Sequence, residues 1–418
     1  MPEQILLILA LVFGFYMAWN IGANDVANAF GTSIGSGAIT YKQALVLAAI
    51  FEFSAAFLVG GQVTDTIKGN IVHPSVFQEG PHFFAIGMLA ALLAASIWLN
   101  IATYLGQPVS TTHAIIGAVI GFGIVSSHGL DAIQWHKMGR IAASWFLSPF
   151  LGGVLASALY FAVRKLVLRH ATPARRAAQS LPFAWGGVVF VMSFSILDGL
   201  LPRTMGPDAS HLRLWNIAIS LVAATLMGLF SKRRARKYVP GMNADLDSQY
   251  KQVEARFGRL QVLTACFMAF AHGSNDVANA IGPIAAVLQA IRGTLETTTV
   301  VPAWVLAFGG FGIVVGLATY GYKVMAAIGS KITEVTPIRG FCAEFATATT
   351  VLASSLLGLP ISTTFVLVGA VMGIGMARGF GAIDLGVVKR IFLSWIITIP
   401  CSAALGALLY GILRHILT

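Results

Sequence analysis

Between residues 80 and 130 the chain carries no Asp, Glu, Lys or Arg. The same holds for residues 4–24, 141–163, 177–197, 214–231, 297–322, 345–377 and 391–413. A helix that crosses the hydrocarbon core of a bilayer needs about 20 mostly apolar residues. Several of these runs hold one crossing, and 80–130 holds more than one. Charged residues are 10% of the 418 and hydrophobic residues 57%, whereas a soluble domain carries about 25% charged residues because its surface meets water. A soluble globular protein, a disordered chain and a disulfide scaffold are excluded. Alternation at the roughly ten-residue spacing of outer-membrane strands is absent. The expected fold is an all-α polytopic membrane protein. The first three residues lack a basic leader region, so the first apolar run reads as part of the protein rather than a cleaved signal. Cys266, Cys342 and Cys401 sit in apolar stretches without CxxC spacing and read as packing residues.

The net charge of +11 suggests nucleic acid until its placement is considered. Arg164, Lys165, Arg169, Arg175 and Arg176 fall in one short segment. Lys232, Arg233, Arg234, Arg236, Lys237, Lys251, Arg256 and Arg259 fall in a second, and together these are almost half of the 27 Lys and Arg. Two apolar runs, near 183–201 and 214–231, separate the segments, with Pro202 and Pro207 in the turn. Two crossings return a chain to the side it left, so both basic segments face one compartment, and basic short loops mark the cytoplasm. The charge orients the chain in a bilayer and implies no nucleic-acid partner. Residues 238–259 mix both signs and read as a short soluble excursion. The first 15 residues hold no basic group, which favours an extracytoplasmic amino terminus. The carboxyl terminus is expected on the same side, although Arg414 and His415 oppose that placement.

An internal repeat organises the rest. Gly22-Ala23-Asn24-Asp25-Val26-Ala27-Asn28-Ala29 recurs as Gly273-Ser274-Asn275-Asp276-Val277-Ala278-Asn279-Ala280. Pro108-Val109-Ser110-Thr111-Thr112 recurs as Pro360-Ile361-Ser362-Thr363-Thr364, and Arg140 with Trp145 recurs as Arg390 with Trp395. Three landmarks in one order and at matching spacing define two homologous halves, 1–164 and 258–418, with a two-helix insert and its basic loops at 165–257. Counting crossings gives the halves opposite topology, the inverted-repeat architecture of secondary transporters with sites on broken helices near the midplane. Asn24-Asp25 interrupts one apolar run, and Gln107-Pro108 interrupts another as either a re-entrant tip or a surface turn.

Asp25 and Asn28 lie at i and i+3 on one helix face, as do Asp276 and Asn279. An intramembrane carboxylate is costly and marks function by default. Carboxylate and amide oxygens, with carbonyls freed at a helix break, suit Na⁺ or a proton on the Asp. The bland reading, capping and small-residue packing, is weakened by the duplication. Ser110 and Ser362 read as N-caps of new helices. The free N–H groups there, with Thr111, Thr112, Thr363 and Thr364, suit an anion.

The duplicated Gly-x-Asn-Asp-Val-Ala-Asn-Ala and Pro-x-Ser-Thr-Thr resemble the signatures of the inorganic phosphate transporter (PiT) family over nearly the whole chain. The resemblance implies about twelve helices in inverted repeats and a phosphate site at their centre. It also implies cation-driven uptake, a multi-pass place in the cytoplasmic membrane and a homodimer. Carried over by motif, Ser110, Thr111, Thr112, Ser362, Thr363 and Thr364 hold phosphate. Asp25, Asn28, Asp276 and Asn279, with their motif neighbours Ala23, Asn24, Ser274 and Asn275, hold the cations. Minor departures are Ser274 for Ala23, and Phe365 opposite His113.

The motif segments contain no Lys or Arg. Asp25 and Asp276, if ionised, repel each other and phosphate, and one like pair 4 Å apart costs about 4 kcal/mol at an effective dielectric of about 20. Helix termini supply only about half a charge each. Mobile cations must supply the balance, Na⁺ in the favoured reading and H⁺ in the alternative, and no other cofactor is expected. Glu52 and Glu344 are intramembrane acids that the repeat does not align. They are candidates for an extra cation or a conformational lock, against a plain hydrogen-bonded acid. His272 reads as a core histidine, and Gly117–Gly123 and Gly369–Gly375 as close helix packing. An ion channel is the rival reading, and a phosphotransferase or phosphatase lacks a Walker loop or a His-rich cluster, so no enzyme is expected. Sulfate or a metal–phosphate complex remains open as cargo, since Asp25 and Asp276 could tell protonated phosphate from sulfate.

Overall fold

The uncharged runs become helices. The computed structural model describes residues 3–77, 80–105, 109–205, 210–236, 245–295, 300–321, 336–379 and 385–418. Gln107, Pro108 and Pro207, which the sequence marks as breaks, lie outside these residues, as does Lys237. The first half gives α1 (Glu3–Asn24), α2 (Val26–Gly35), α3 (Tyr41–Leu58), α4 (Gly61–Gly69), α5 (Pro81–Tyr104), α6 (Thr111–Val125) and α7 (Trp135–Val163). The insert gives α8 (Pro173–Met205) and α9 (Ser210–Arg236). The second half gives α10 (Leu246–Asp276), α11 (Ala278–Ile291), α12 (Ala303–Gly316), α13 (Pro337–Leu356), α14 (Thr363–Arg378) and α15 (Leu385–Leu417). Among the described residues the only strand-like pairing is a single bridge between Val72 and Ile133.

Local chemistry sets the helix starts. Proline opens α5 and α13, where its missing N–H costs nothing. Thr40 and Gln43 form a reciprocal capping box at α3. Asp245 caps α10, and hydrogen bonds from the Ser248 side chain and backbone amide hold its carboxyl below the ordinary value.

Eight helices among the described residues are long and apolar enough to cross a bilayer, against the twelve or so implied by resemblance. Polarity explains part of the difference. Helix α10 buries Gln261, Thr264, His272 and Asp276, and α13 buries Glu344, Thr347 and Ser355, which lowers their hydropathy despite adequate length. Burial also ranks the helices by depth. In α5, 72% of the apolar window is inside the protein, while in α9 the figure is 11%. Helix α5 is therefore central, and the insert lies at the edge with its apolar side chains outward.

The halves pack reciprocally. Helix α1 lies on α12, and its counterpart α10 lies on α3; α6 lies on α15, and its counterpart α14 lies on α7. Each of these seams crosses from one half to the other. The first motif residue makes two of them possible. A methyl on Gly22 would overlap the Ile313 carbonyl oxygen on α12, and a methyl on Gly273 would fall 2.6 Å from the Glu52 carbonyl oxygen on α3. The glycine-rich stretches behave as expected from sequence: Gly121 meets the Ala403 backbone on α15, and Gly369 meets the Pro149 backbone on α7.

Gly22→Ala is expected to force α1 and α12 apart and to cost about 1–3 kcal/mol of stability. Thermal unfolding of the purified protein checks this, and an unchanged midpoint would show that the seam can widen freely.

Candidate functional site

The site is assembled from two interrupted helices and two short ones. Helices α1 and α2 meet at Asp25, and α10 and α11 meet at Val277. The interruptions last one residue each, tighter than the broken helices expected from the sequence. Asp25 is 4% exposed and Asp276 1%, so each half buries one carboxylate at its break. Helices α6 and α14, of 15 and 16 residues, are too short to cross alone. Both start inside the protein on a serine cap: Ser110 Oγ accepts from the His113 amide at 3.2 Å, and Ser362 Oγ accepts from the Phe365 amide at 3.4 Å.

Contacts between halves join these four parts. Asn28 Nδ2 donates to Thr364 Oγ1 at 2.8 Å. In the reciprocal arrangement, Asn279 Nδ2 donates to Thr112 Oγ1 at 3.2 Å and to Thr111 Oγ1 at 3.4 Å. Thr363 Oγ1 donates to Asp276 Oδ2 at 3.3 Å, and Thr112 Oγ1 donates to the Ile361 carbonyl at 3.0 Å. Asp25, Asp276 and His272 bring ligand-capable atoms within 4.8 Å of one another. The motif Asp, Asn and Thr residues of both halves thus converge on one buried centre, flanked by the two serine caps. The buried Asn279 Oδ1 has no hydrogen-bond partner among the described residues. A buried amide oxygen without a donor is an open acceptor, the chemistry a hard cation accepts.

The motif neighbours make contacts of their own. Asn24 accepts from Thr103 Oγ1 at 2.8 Å and donates to the Asn20 carbonyl at 3.0 Å. The Asn275 amide lies 2.8 Å from Ser355 Oγ. Thr103 and Ser355 occupy matching places on α5 and α13, so these two asparagines anchor the interrupted helices to their neighbours. Ser274 Oγ donates back to the Ala271 carbonyl at 2.7 Å. Ala23 is buried and has no side-chain ligand atom, so its carbonyl alone could serve a cation.

His272 reads from sequence as a core histidine. It is buried, but it lies between two acids. Its Nδ1 is 2.8 Å from Glu52 Oε1, and its Nε2 is 2.9 Å from Asp276 Oδ2 without hydrogen-bond alignment. Ile21 occupies the matching place in the first half, so the repeat carries no signal for this residue. The usable signal is its spacing, one helical turn before Asp276. Glu344 is fully buried and accepts from the hydroxyls of Thr32, Ser33 and Thr264 and from the Gln261 amide, which join α2 to α10 and α13. No Lys or Arg of the motif segments faces the centre, because none exists there. A buried base does occur on α4, where Lys68 pairs with Asp65 at 2.9 Å.

These features define a multi-pass helical membrane protein with a polar centre where the two copies of the motifs meet. The chain belongs to the phosphate transporter family, whose family model matches residues 21–406. It is 44% identical to a provisionally named phosphate permease of Haemophilus influenzae, over 98% of this chain and 96% of that protein. It is 43% identical to the chloroplastic inorganic phosphate transporter 2-1 of Arabidopsis thaliana, over all of this chain and 74% of that one. A solved structure, named as the sodium-dependent phosphate transporter, superposes with a TM-score of 0.90 at 41% identity, covering 99% of this chain and all of that one. The family is one of transporters, not enzymes.

Removing the histidine strands two buried acids. His272→Ala is expected to cost about 3–5 kcal/mol, and pairing it with Glu52→Ala should cost clearly less than the two losses added. Thermal unfolding of the single and double variants measures this; strictly additive losses would show that the contact carries no energy.

Proposed function

We propose that the chain is a secondary active symporter that carries inorganic phosphate together with Na⁺ across the cytoplasmic membrane by alternating access. The observation that carries this reading is the single buried centre built from Asp25 and Asp276, one from each half. Residues 1–164 and 258–418 form the two halves, opposite in topology, and 165–257 is the insert. The basic loops face the cytoplasm, and both termini lie outside it.

Asp25 with Asn28, and Asp276 with Asn279, hold the cations, helped by backbone carbonyls at the breaks, including those of Ala23 and Ser274. Asn24 and Asn275 fix the position of the breaks. Phosphate sits against the starts of α6 and α14, where amide N–H groups, the positive helix ends and the hydroxyls of Thr111, Thr112, Thr363 and Thr364 all donate. Ser110 and Ser362 accept from their own helices and keep their protons available for the ligand. Glu52 and Glu344 each tie an element of the first half to the second and serve as conformational locks.

Electrostatics then makes coupling obligatory. With every carboxylate ionised and His272 protonated, Asp25, Asp276, Glu52 and His272 sum to two negative charges, and phosphate adds more. Like charges this close in a partly dry centre repel by several kcal/mol. Phosphate therefore binds poorly until cations load, and by reciprocity cations bind better with phosphate present. The sodium dependence for which the superposing transporter is named favours Na⁺ over H⁺. A metal–phosphate complex is the second reading, favoured by the approach of Asp25, His272 and Asp276, because an imidazole beside two carboxylates suits a divalent ion better than Na⁺.

The test is uptake of labelled phosphate into proteoliposomes with Na⁺ and H⁺ gradients imposed separately. Uptake should follow the Na⁺ gradient and vanish when choline replaces Na⁺ at fixed pH; uptake that persists in choline would remove Na⁺ coupling. Uptake abolished by a divalent-metal chelator would instead establish the metal–phosphate reading. Asp25→Asn and Asp276→Asn should each end concentrative uptake while leaving the thermal midpoint near that of the wild type, and accumulation by both variants at the wild-type level would take these acids out of the mechanism.

A further inference from the structure

Far from the polar centre, three arginines surround a cavity where the insert meets α10. The cavity has a volume of about 120 Å³ and lies where α8, α9 and α10 meet. Leu181, Trp185, Met227 and Phe230 form its apolar wall, and Ser231, Arg234, Arg256 and Arg259 complete the lining. No acidic side chain lines it among the described residues. The Arg234 guanidinium lies over the Phe230 ring at 5.8 Å. Arg256 is half-buried and donates to the Ala174 carbonyl at 3.4 Å, so its guanidinium is held in place. Burial presses Arg256 below the ordinary guanidinium value, and the neighbouring Arg259 adds to it.

The position of the cavity along α9 is equally informative. Leu226, Leu229 and Phe230 are 63%, 50% and 55% exposed, and exposed Lys232, Arg233 and Arg234 follow at once. An outward apolar face that turns basic within one helical turn marks the level where acyl chains give way to headgroups, and a tryptophan at that level is usual. Guanidinium groups bind phosphate through paired N–H donors. Basic pockets between helices at such a boundary suit anionic headgroups.

We propose that this cavity is a binding site for an anionic phospholipid, with the headgroup phosphate held by Arg234, Arg256 and Arg259 and the acyl chains lying along the outward face of α9. Dissolved inorganic phosphate shares the anion chemistry, but it has no use for the apolar wall or for the bilayer face beside it. The lipid braces α8 and α9 against α10, which leads through its far end to His272 and Asp276. The site is separate from the transport centre and holds whatever the coupling ion proves to be.

Delipidated full-length protein, titrated with phosphatidylglycerol or phosphatidylcholine and followed by native mass spectrometry, tests the assignment. The wild type should retain phosphatidylglycerol over phosphatidylcholine, and millimolar inorganic phosphate should not displace it. Arg256→Gln with Arg259→Gln should weaken phosphatidylglycerol retention about tenfold or more and leave phosphatidylcholine unchanged, while the matching Lys variant should keep part of the preference. Brominated phosphatidylglycerol should quench a component of the wild-type fluorescence that Trp185→Phe lacks, a readout that needs no arginine variant to fold. Equal retention of the two lipids, full retention by the Gln variant, or quenching unaltered by Trp185→Phe would overturn the proposal. Displacement by inorganic phosphate would also overturn it and give the cavity to a dissolved anion.

Discussion

Burying carboxylates away from water is the constraint on which the rest of the structure turns. Asp25, Glu52, Asp276 and Glu344 are all nearly or wholly removed from solvent, in a chain with little charge to offset them. Glu52 is compensated across the boundary between halves by His272, Glu344 by α2 hydroxyls across it and by α10 donors within its own half, and Asp276 within its own half by His272 and Thr363. A buried acid without a partner is costly, so the two halves are held in register by their own polar groups. Asp25 lies with Asp276 and His272 at the buried centre where the two motif copies meet.

The two kinds of motif divide the work at this centre. The interrupted helices bring acids and amides, and the short helices bring hydroxyls and free amide N–H groups. Neither kind binds both signs of charge by itself. The asparagines at i+3 connect them, since each donates to a threonine of the opposite half. Under the proposed roles, cation ligands and anion ligands are therefore bonded to each other before any ion arrives, and a shift in one is felt by the other.

Much of this was legible in the sequence. The uncharged runs fixed the fold class, the duplicated motifs picked out Asp25, Asn28, Asp276 and Asn279, and the Ser-Thr-Thr segments marked the starts of α6 and α14. What stayed hidden was whatever depends on which helices touch. His272 and Glu52 are 220 residues apart, and no periodicity places one on the other. Glu344 was visible as an intramembrane acid, but its four donors come from helices whose proximity only the fold decides. Asn24 and Asn275 share their motif with the central residues, yet a one-position step along a helix turns them toward α5 and α13 instead. Position within a motif thus tells less than the direction in which a side chain points.

The exchange of partners between α6, α7, α14 and α15 makes the two parts of the chain depend on each other. Each short helix packs chiefly on the long terminal helix of the other half, so parting the halves would expose a face of each. Because Ile21 and His272 stand at matching positions of the two motif copies, the clasped chain carries an asymmetry that no pair of identical subunits could own.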